Sequence, residues 1–184
     1  MLKILLAILT GLVGAALLHL VIILALPYYS ERDAYSRVLG EGQPFRFHSL
    51  GASRDAAGLS RNDPFLDLAV CAFDLDENPV RLTASGAVPF WSLATFDSAS
   101  NETFSINDRT SVGGTLDVIL ATPLQATRLR KALPAALDQS IIVETSAPQG
   151  YAVLRAMAPQ ASFRPGALQF LAQATCSPME MSAN

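Results

Sequence analysis

Residues that usually form catalytic or metal centres are scarce in this chain, which has two cysteines and two histidines among its 184 residues. Cys71 and Cys176 lie 105 positions apart, too far for a local zinc knuckle or a Cys-x-x-Cys redox motif. His19 falls within an apolar run, so Ser/His/Asp catalysis would depend on His48 alone. The sequence also lacks His-x-x-x-His, EF-hand and glycine-rich phosphate-loop patterns. We therefore predict no metal and no cofactor, and the sequence favours a non-enzymatic role.

An excess of basic residues is also missing: 13 Lys and Arg stand against 16 Asp and Glu, for a net charge of −3. Binding to a phosphate backbone requires a basic stripe, so we predict no nucleic acid partner. Without the first 30 residues about 154 remain, which is the size of one ordinary domain.

What the chain does have is a long apolar run near its N-terminus, Ile4 to Leu26, without a charged residue. At about 1.5 Å per residue these 23 positions are long enough for a bilayer core of roughly 30 Å. Signal-peptide apolar regions span only about 7 to 15 residues. We predict an uncleaved transmembrane signal anchor over residues 1–30, and a cleavable signal peptide, which Lys3 would also suit, is the alternative.

The flanking charges give almost no preference for one orientation of this helix, since Lys3 precedes it and Arg32 and Arg37 follow it. We favour the N-terminus inside and the tail outside, because so short an N-terminal segment is easily read as a signal anchor.

Small residues recur every fourth position of the predicted anchor and end at a histidine: Ala7, Gly11, Ala15 and His19. Such a face allows close helix approach, and an imidazole in a bilayer usually faces protein. The face predicts self-association or docking with another membrane protein. The alternative is ordinary small-residue content with His19 near the interface.

The tail divides into a juxtamembrane helix and connector over residues 31–64 and a β-rich extracytoplasmic domain over residues 65–184. We expect the helix to continue to Leu39 and end at Gly40 and Gly42, with a short strand at Phe45–Phe47. Short apolar runs broken by turn residues then predict seven strands. They are Leu66–Asp74, Val80–Ala84, Val88–Phe96, Thr103–Asn107, Thr115–Ala121, Ile141–Thr145 and Tyr151–Met157.

The predicted fold class is mainly β: an N-terminal transmembrane helix followed by a small antiparallel β-sandwich-like domain with one or two short helices. Turn residues between most strands predict a meander, in which successive strands pair. The helices are predicted over Leu124–Leu133 and from Pro165 towards Thr175.

The two cysteines predict a disulfide if the domain is exported, because an even count in an oxidising compartment favours pairing. The bridge would join the first core strand to the C-terminal helix. Two buried free thiols are the better interpretation if the tail is cytoplasmic.

The richest polar group follows the third and fourth predicted strands: Asp97, Asn107, Asp108 and Arg109. Carboxylates near an arginine are suited to acid/base chemistry or cation binding. Asp and Asn at strand ends more often bond their own turns, and that structural role is the alternative. Trp91, between Phe90 and Phe96, is predicted to pack in the core.

Several segments resemble bacterial proteins of domain-of-unknown-function family 1254, the sister of family 1214. The resemblance is carried by the anchor, the Pro27–Ala34 segment, Cys71-Ala-Phe-Asp-Leu, Phe90-Trp-Ser-Leu and Phe104–Arg109, with a weaker similarity near Arg155 and Cys176. Ala72 and Thr95-Phe96 depart from the family's pattern. The resemblance implies an envelope membrane protein with an all-β external domain and no established activity.

Combining these observations, we predict a single-pass protein of the bacterial inner membrane whose periplasmic domain is a binding or interaction module. Two alternatives are an envelope enzyme that uses Asp97, Asp108 and Arg109, and an accessory subunit docked through the face that ends at His19.

Overall fold

The computed structural model describes residues 2–29, 34–51, 58–60 and 63–180, and divides the chain into two compact units, Met1–Arg32 and Asp33–Asn184. The first unit contains helix α1, Leu2–Tyr29. Its large apolar side chains from Leu2 to Leu26 are exposed. Ser30–Asp33, where we expected the helix to continue, lie outside the described residues.

The second unit contains three helices, nine strands and three short 3-10 turns among its described residues. The helices are α2 (Ala34–Glu41), α3 (Pro123–Lys131) and α4 (Arg164–Gln173). The strands are β1 (His48–Leu50), β2 (Leu66–Asp74), β3 (Val80–Ala84), β4 (Trp91–Asp97), β5 (Glu102–Asn107), β6 (Leu116–Ala121), β7 (Ile141–Glu144), β8 (Gln149–Met157) and β9 (Thr175–Pro178). The turns are Val112–Gly114, Ala135–Leu137 and Ala161–Phe163.

These strands form two sheets, one of five strands in the order β1-β2-β8-β4-β5 and one of four in the order β7-β6-β3-β9. All pairs are antiparallel except β6 with β7. One large cluster of buried side chains takes residues from both sheets, as the inner faces of a sandwich do. The predicted mainly β fold with a few short helices is confirmed.

The predicted meander is wrong for most of the domain. Only β1 with β2, β4 with β5 and β6 with β7 are neighbours both in sequence and in a sheet, and the last pair is parallel. The turn after β2 carries the chain from one sheet to the other, and β8 returns to lie between β2 and β4. Turn residues show where a strand ends, but the next strand's partner depends on which sheet has room for its apolar face.

The burial patterns of the strands follow from the layers on each side of them. In β3 buried and half-buried residues alternate, because one face packs inside the sandwich and the other is less covered. In β2 seven consecutive residues are buried, since the outer face of this strand is covered too. Val38 of α2 packs there against Leu68, Val70 and Val153. The 31–64 segment thus adds α2 and β1 to the second unit.

Helices α3 and α4 each begin one residue before the predicted start, at Pro123 and Arg164. The Thr122 side-chain oxygen caps α3 by accepting from the Gln125 backbone N–H, and the Gln125 side-chain oxygen accepts from the Thr122 backbone N–H. Pro123 occupies the first turn, where no backbone donor is needed. Gln125 also donates to the carbonyl of Leu75 at 2.8 Å, which joins α3 to the end of β2.

A disulfide between Cys71 and Cys176 joins the two sheets, with 6.6 Å between their Cα atoms. The predicted pairing is confirmed, but the predicted partner element is wrong. Helix α4 ends at Gln173, and Cys176 lies in β9, opposite Leu82 of β3. A strand of four residues is too short to show a period, so the sequence pattern extended the helix towards Thr175 instead.

We expect removal of the bridge to destabilise the second unit substantially, because it closes a loop of 105 residues. The double change Cys71→Ala and Cys176→Ala should lower the free energy of unfolding by roughly 2–5 kcal/mol. Thermal unfolding of the full chain in detergent, with and without reductant, measures this effect. Reductant should lower the unfolding temperature of the wild type and leave that of the double variant unchanged. An equal decrease in both proteins would contradict the prediction.

Candidate functional site

Asp97, the first residue of the predicted polar site, is occupied by its own turn. Its Oδ1 accepts from the backbone N–H of Asn101 at 2.8 Å, and its Oδ2 accepts from the Asn101 side-chain amide at 2.9 Å. These bonds close the turn between β4 and β5, in which Ser100 adopts a positive φ of 66°. Both carboxylate oxygens of Asp97 are therefore used to shape the hairpin.

The other three predicted residues lie at the opposite end of this hairpin. Asn107 accepts from the backbone N–H groups of Arg109 and Thr110, which again is a turn. Asn107 pairs with Ser92, five residues before Asp97, so the two groups are separated by roughly 17 Å along the strand. Asn107, Asp108 and Arg109 are close to one another only because they are consecutive in the chain. Asp97 lies apart from them.

Asp108 differs from its neighbours because its Oδ1 atom is buried and has no hydrogen-bond partner among the described residues. Arg109, which follows it, is exposed. Trp91 packs in the core against Phe170 of α4, and its indole N–H donates to the carbonyl of Gly114 at 3.0 Å. His48 lies in β1, with Nε2 2.8 Å from the carbonyl oxygen of Gln43.

A second charged group lies on the less covered face of the four-stranded sheet. Arg81 donates to both carboxylate oxygens of Asp117, each at 2.8 Å, and Ser140 donates to Oδ2 of Asp117 at 2.8 Å. The hydrogen bond from Arg81 lowers the pKa of Asp117, assisted by Ser140 and by the charge of Arg81, while partial burial opposes the shift. These hydrogen bonds join β3 to β6, and we call Arg81, Asp117 and Ser140 the Arg81–Asp117 clamp.

Asp67 and Arg164 form another ion pair, in which only one of the two Asp67 carboxylate oxygens takes part. Asp67 lies near the start of β2, its side chain is 9% exposed, and Oδ1 accepts from Arg164 at 3.0 Å. The other oxygen, Oδ2, is buried and has no partner among the described residues. Arg164, the first residue of α4, is 43% exposed. A buried carboxylate oxygen without a donor is costly, so this position favours a ligand or water that donates a hydrogen bond.

Two adjoining cavities flank Arg164, which lines both. One has a volume of about 130 Å³ and is lined on its other sides by Leu50, Asp63, Leu66 and Asp67. The second has a volume of about 290 Å³ and is lined by Phe65, Pro159, Gln160 and Ala161. We call the two together the Arg164 groove. Phe65 stands 56% exposed at its wall.

The Arg164 groove combines one cation, Arg164, with the buried Asp67, the exposed Asp63 and an apolar wall. Arginine has five N–H donors, and among the described residues Arg164 donates only to Asp67, so it can also bind a carboxylate or carbonyl oxygen. Neither cavity is lined by Asp97, Asp108 or Arg109. Within the described part of the chain no cluster of three or more His, Cys, Asp or Glu residues is arranged to hold a metal ion.

Helix α1 is the remaining candidate surface. The segment Leu2–Leu26 has the length and hydropathy of a membrane span, and none of it is buried within the protein. A membrane anchor and a signal sequence share these properties. Ala7, Gly11, Ala15 and His19 are all exposed on this helix, and a Cβ atom added at Gly11 would contact nothing within 4 Å.

Sequence reasoning missed the Arg164 groove because Asp67 and Arg164 are 97 positions apart. One signal was present: Asp67 is a charged residue inside the apolar run of β2. A charge at such a position is rarely buried without a partner. The partner itself could not be found before the path of α4 across the end of the sandwich was known.

No family model and no curated protein matches this chain. Among solved structures it is similar to the VPA0106 protein from Vibrio parahaemolyticus, with a TM-score of 0.59 and 15% sequence identity over 82% of this chain. It also matches an uncharacterised protein from Burkholderia cenocepacia, with a TM-score of 0.49 and 13% identity over 83% of this chain. The chain spans only 38% and 42% of the length of these two proteins. The likeness to VPA0106 concerns the fold alone.

The Arg81–Asp117 clamp predicts a specific loss of stability in acid. The pKa of Asp117 is lower in the folded state than in the unfolded state. The ionised carboxylate therefore adds to the free energy of unfolding at pH values above the unfolded-state pKa, and this addition is lost as the pH falls through the folded-state pKa. We expect Asp117→Asn to cost about 1 kcal/mol at neutral pH and to lose less stability than the wild type between about pH 5 and pH 2. Urea unfolding of the full chain across this range measures both. The loop variant Glu77→Gln is the control, and parallel pH profiles for Asp117→Asn and wild type would refute the assignment.

Proposed function

We propose that this chain is a single-pass protein of a bacterial inner membrane whose β-domain lies in the periplasm. The unburied apolar helix supports the anchor, since a soluble protein rarely exposes so large an apolar surface. The disulfide supports an oxidising compartment. The same arrangement is implied by the resemblance to family 1254, and we include membership of that family in the proposal.

We further propose that the β-domain acts as a binding or interaction module through the Arg164 groove. The observation that carries this proposal is the partly exposed Arg164, which among the described residues donates only to the buried Asp67. A partner's carboxylate or carbonyl oxygen, such as one from the main chain of a peptide, can accept from the N–H groups that Asp67 does not use.

The size of the cavity beside Asp67 favours part of a larger partner over a whole small molecule at that end of the groove. The cavity beside Asp67, at about 130 Å³, is smaller than the roughly 300–1,000 Å³ of ordinary ligand pockets. It has room for one side chain or one headgroup, and the exposed Phe65 extends the contact outward. The enzyme alternative has less support, because Asp97 is used by its turn and lies far from Asp108 and Arg109.

The location is tested with the full chain expressed in a Gram-negative host. We expect the intact chain, including its first residues, to stay in the membrane after alkaline extraction. Protease added to spheroplasts should digest the β-domain, and a maleimide reagent should label Cys71 and Cys176 of the denatured chain only after reduction. A soluble product that begins near Tyr28 would show a cleaved signal peptide, and a protease-resistant domain with free thiols would show a cytoplasmic one.

The groove is tested with a photo-cross-linking amino acid at Gln160, an exposed residue of its second cavity. In the full chain in membranes, we expect a cross-link whose yield falls about tenfold in Phe65→Ser, because burying one aromatic side chain contributes roughly 1.5–3 kcal/mol. Leu124→Ser is the matched control, since Leu124 is 62% exposed and lies on α3 away from the groove. Equal yields from the two variants would exclude the groove as the contact surface.

A further inference from the structure

Exposed apolar side chains adjoin Arg164 on the surface of the β-domain. Phe163 directly precedes Arg164 and is 44% exposed, and Leu168, 47% exposed, follows it by one helical turn on the same face of α4. Phe65, 56% exposed, lines the second cavity together with Arg164. We call Phe65, Phe163 and Leu168 the apolar rim. Large apolar side chains that lie together on a surface mark a contact with a partner or a membrane.

The charges beside the apolar rim are few and of both signs. Arg164 is the only charged residue between positions 156 and 179, a stretch that includes all of α4. The exposed Asp63 lines the first cavity together with Arg164. Its Oδ1 accepts from the Phe65 backbone N–H at 2.8 Å, and among the described residues no donor bonds its Oδ2. A cation and an anion, each with unused hydrogen-bonding capacity, therefore lie next to an apolar surface.

The chain joins the β-domain next to this surface. Helix α1 ends at Tyr29 and α2 begins at Ala34, and at about 3.6 Å per residue the extended chain between them spans at most about 18 Å. Val38 of α2 packs against Leu68, which also lines the first cavity of the Arg164 groove. The short tether is therefore attached beside the groove.

The exposed face of α3 provides a contrast. It carries Leu124, Arg128 and Lys131, but α3 packs on Ile119 of the four-stranded sheet, whereas α2 packs on the five-stranded sheet. Roughly 30 Å separates two helices on opposite sides of a sandwich, which exceeds the length of the tether. Of these two surfaces, the groove is the one within reach of the bilayer that holds the anchor.

We propose that the Arg164 groove and the apolar rim lie on that bilayer, with a zwitterionic phospholipid headgroup in the groove. Its phosphate accepts from the Arg164 N–H groups that Asp67 does not use, and its ammonium group pairs with Asp63. The apolar rim enters the boundary between headgroups and acyl chains, where Phe and Leu side chains are favoured. Two carboxylates against one guanidinium among the described lining residues disfavour an anionic headgroup.

This inference deepens the proposed interaction function by naming the partner of the groove, and it rests on the proposed membrane attachment. Alkaline extraction measures the attachment separately. Vesicles that contain this chain as their only protein measure the contact with lipid. If the groove binds a protein and not lipid, the proposed function stands and this inference fails.

The test uses a bimane label on Gln160→Cys, with Leu124→Cys as the control, in the full chain in vesicles of phosphatidylethanolamine and phosphatidylcholine. Cys71 and Cys176 are bridged and do not react with the label. Lipids with a nitroxide headgroup should quench the label at position 160 and leave the label at position 124 nearly unchanged. Adding Phe163→Ser and Leu168→Ser should lower the quenching at position 160 about fivefold, because two apolar side chains that enter the bilayer are lost.

Lipid charge provides the second measurement. Replacing half of the lipid by phosphatidylglycerol should lower the quenching at position 160. Asp63→Asn keeps the acceptor for the Phe65 N–H and should make this decrease smaller. Equal quenching at positions 160 and 124, an unchanged signal in the folded rim variant, stronger quenching on anionic lipid, or a photo-cross-link from Gln160 to protein alone would each overturn the proposal. Melting curves check that the variants are folded.

Discussion

The burial of two sheet faces against each other is the interaction on which the rest of this domain depends. The Cys71–Cys176 bridge lies inside that interface and joins the two sheets covalently. Because β2 contributes Cys71 to the inner face and also packs under α2 on the outer face, seven of its nine residues are buried. Asp67, near the start of this strand, accepts a hydrogen bond from Arg164 of α4 in the Arg164 groove.

The groove exists because β2 carries a charged residue just before its apolar inner-face positions. Asp67 lies at the end of the sandwich, where Arg164 of α4 reaches one of its oxygens and leaves the other without a partner. A buried charge is acceptable only with compensation, and here the compensation is incomplete among the described residues. In contrast, the Arg81–Asp117–Ser140 clamp satisfies its carboxylate and has no such unused group. This difference distinguishes a candidate binding site from a structural ion pair.

Local sequence patterns predicted much of the secondary structure. The bounds of β2 and β3 were predicted correctly, and those of β4 to β8 to within about three residues, since apolar runs with turn residues at both ends are local signals. Strand β9 was missed because its four residues follow a helix directly. The polar site was predicted from residues close in sequence, but Asp97 and Asp108 lie at opposite ends of one hairpin. A hairpin brings cross-strand neighbours together and separates the two ends of a single strand.

The sequence by itself determined the membrane-length helix and the mainly β class of the domain, and it left the state of the two cysteines open until the structure joined them. The helix depends on the length of an apolar run, and the class depends on the two-residue period of strands. Only the tertiary structure decided the order of the strands in each sheet, the element that carries Cys176 and the meeting of Asp67 with Arg164. Each of these joins residues far apart in the chain, and such contacts are chosen by the packing free energy of the whole domain.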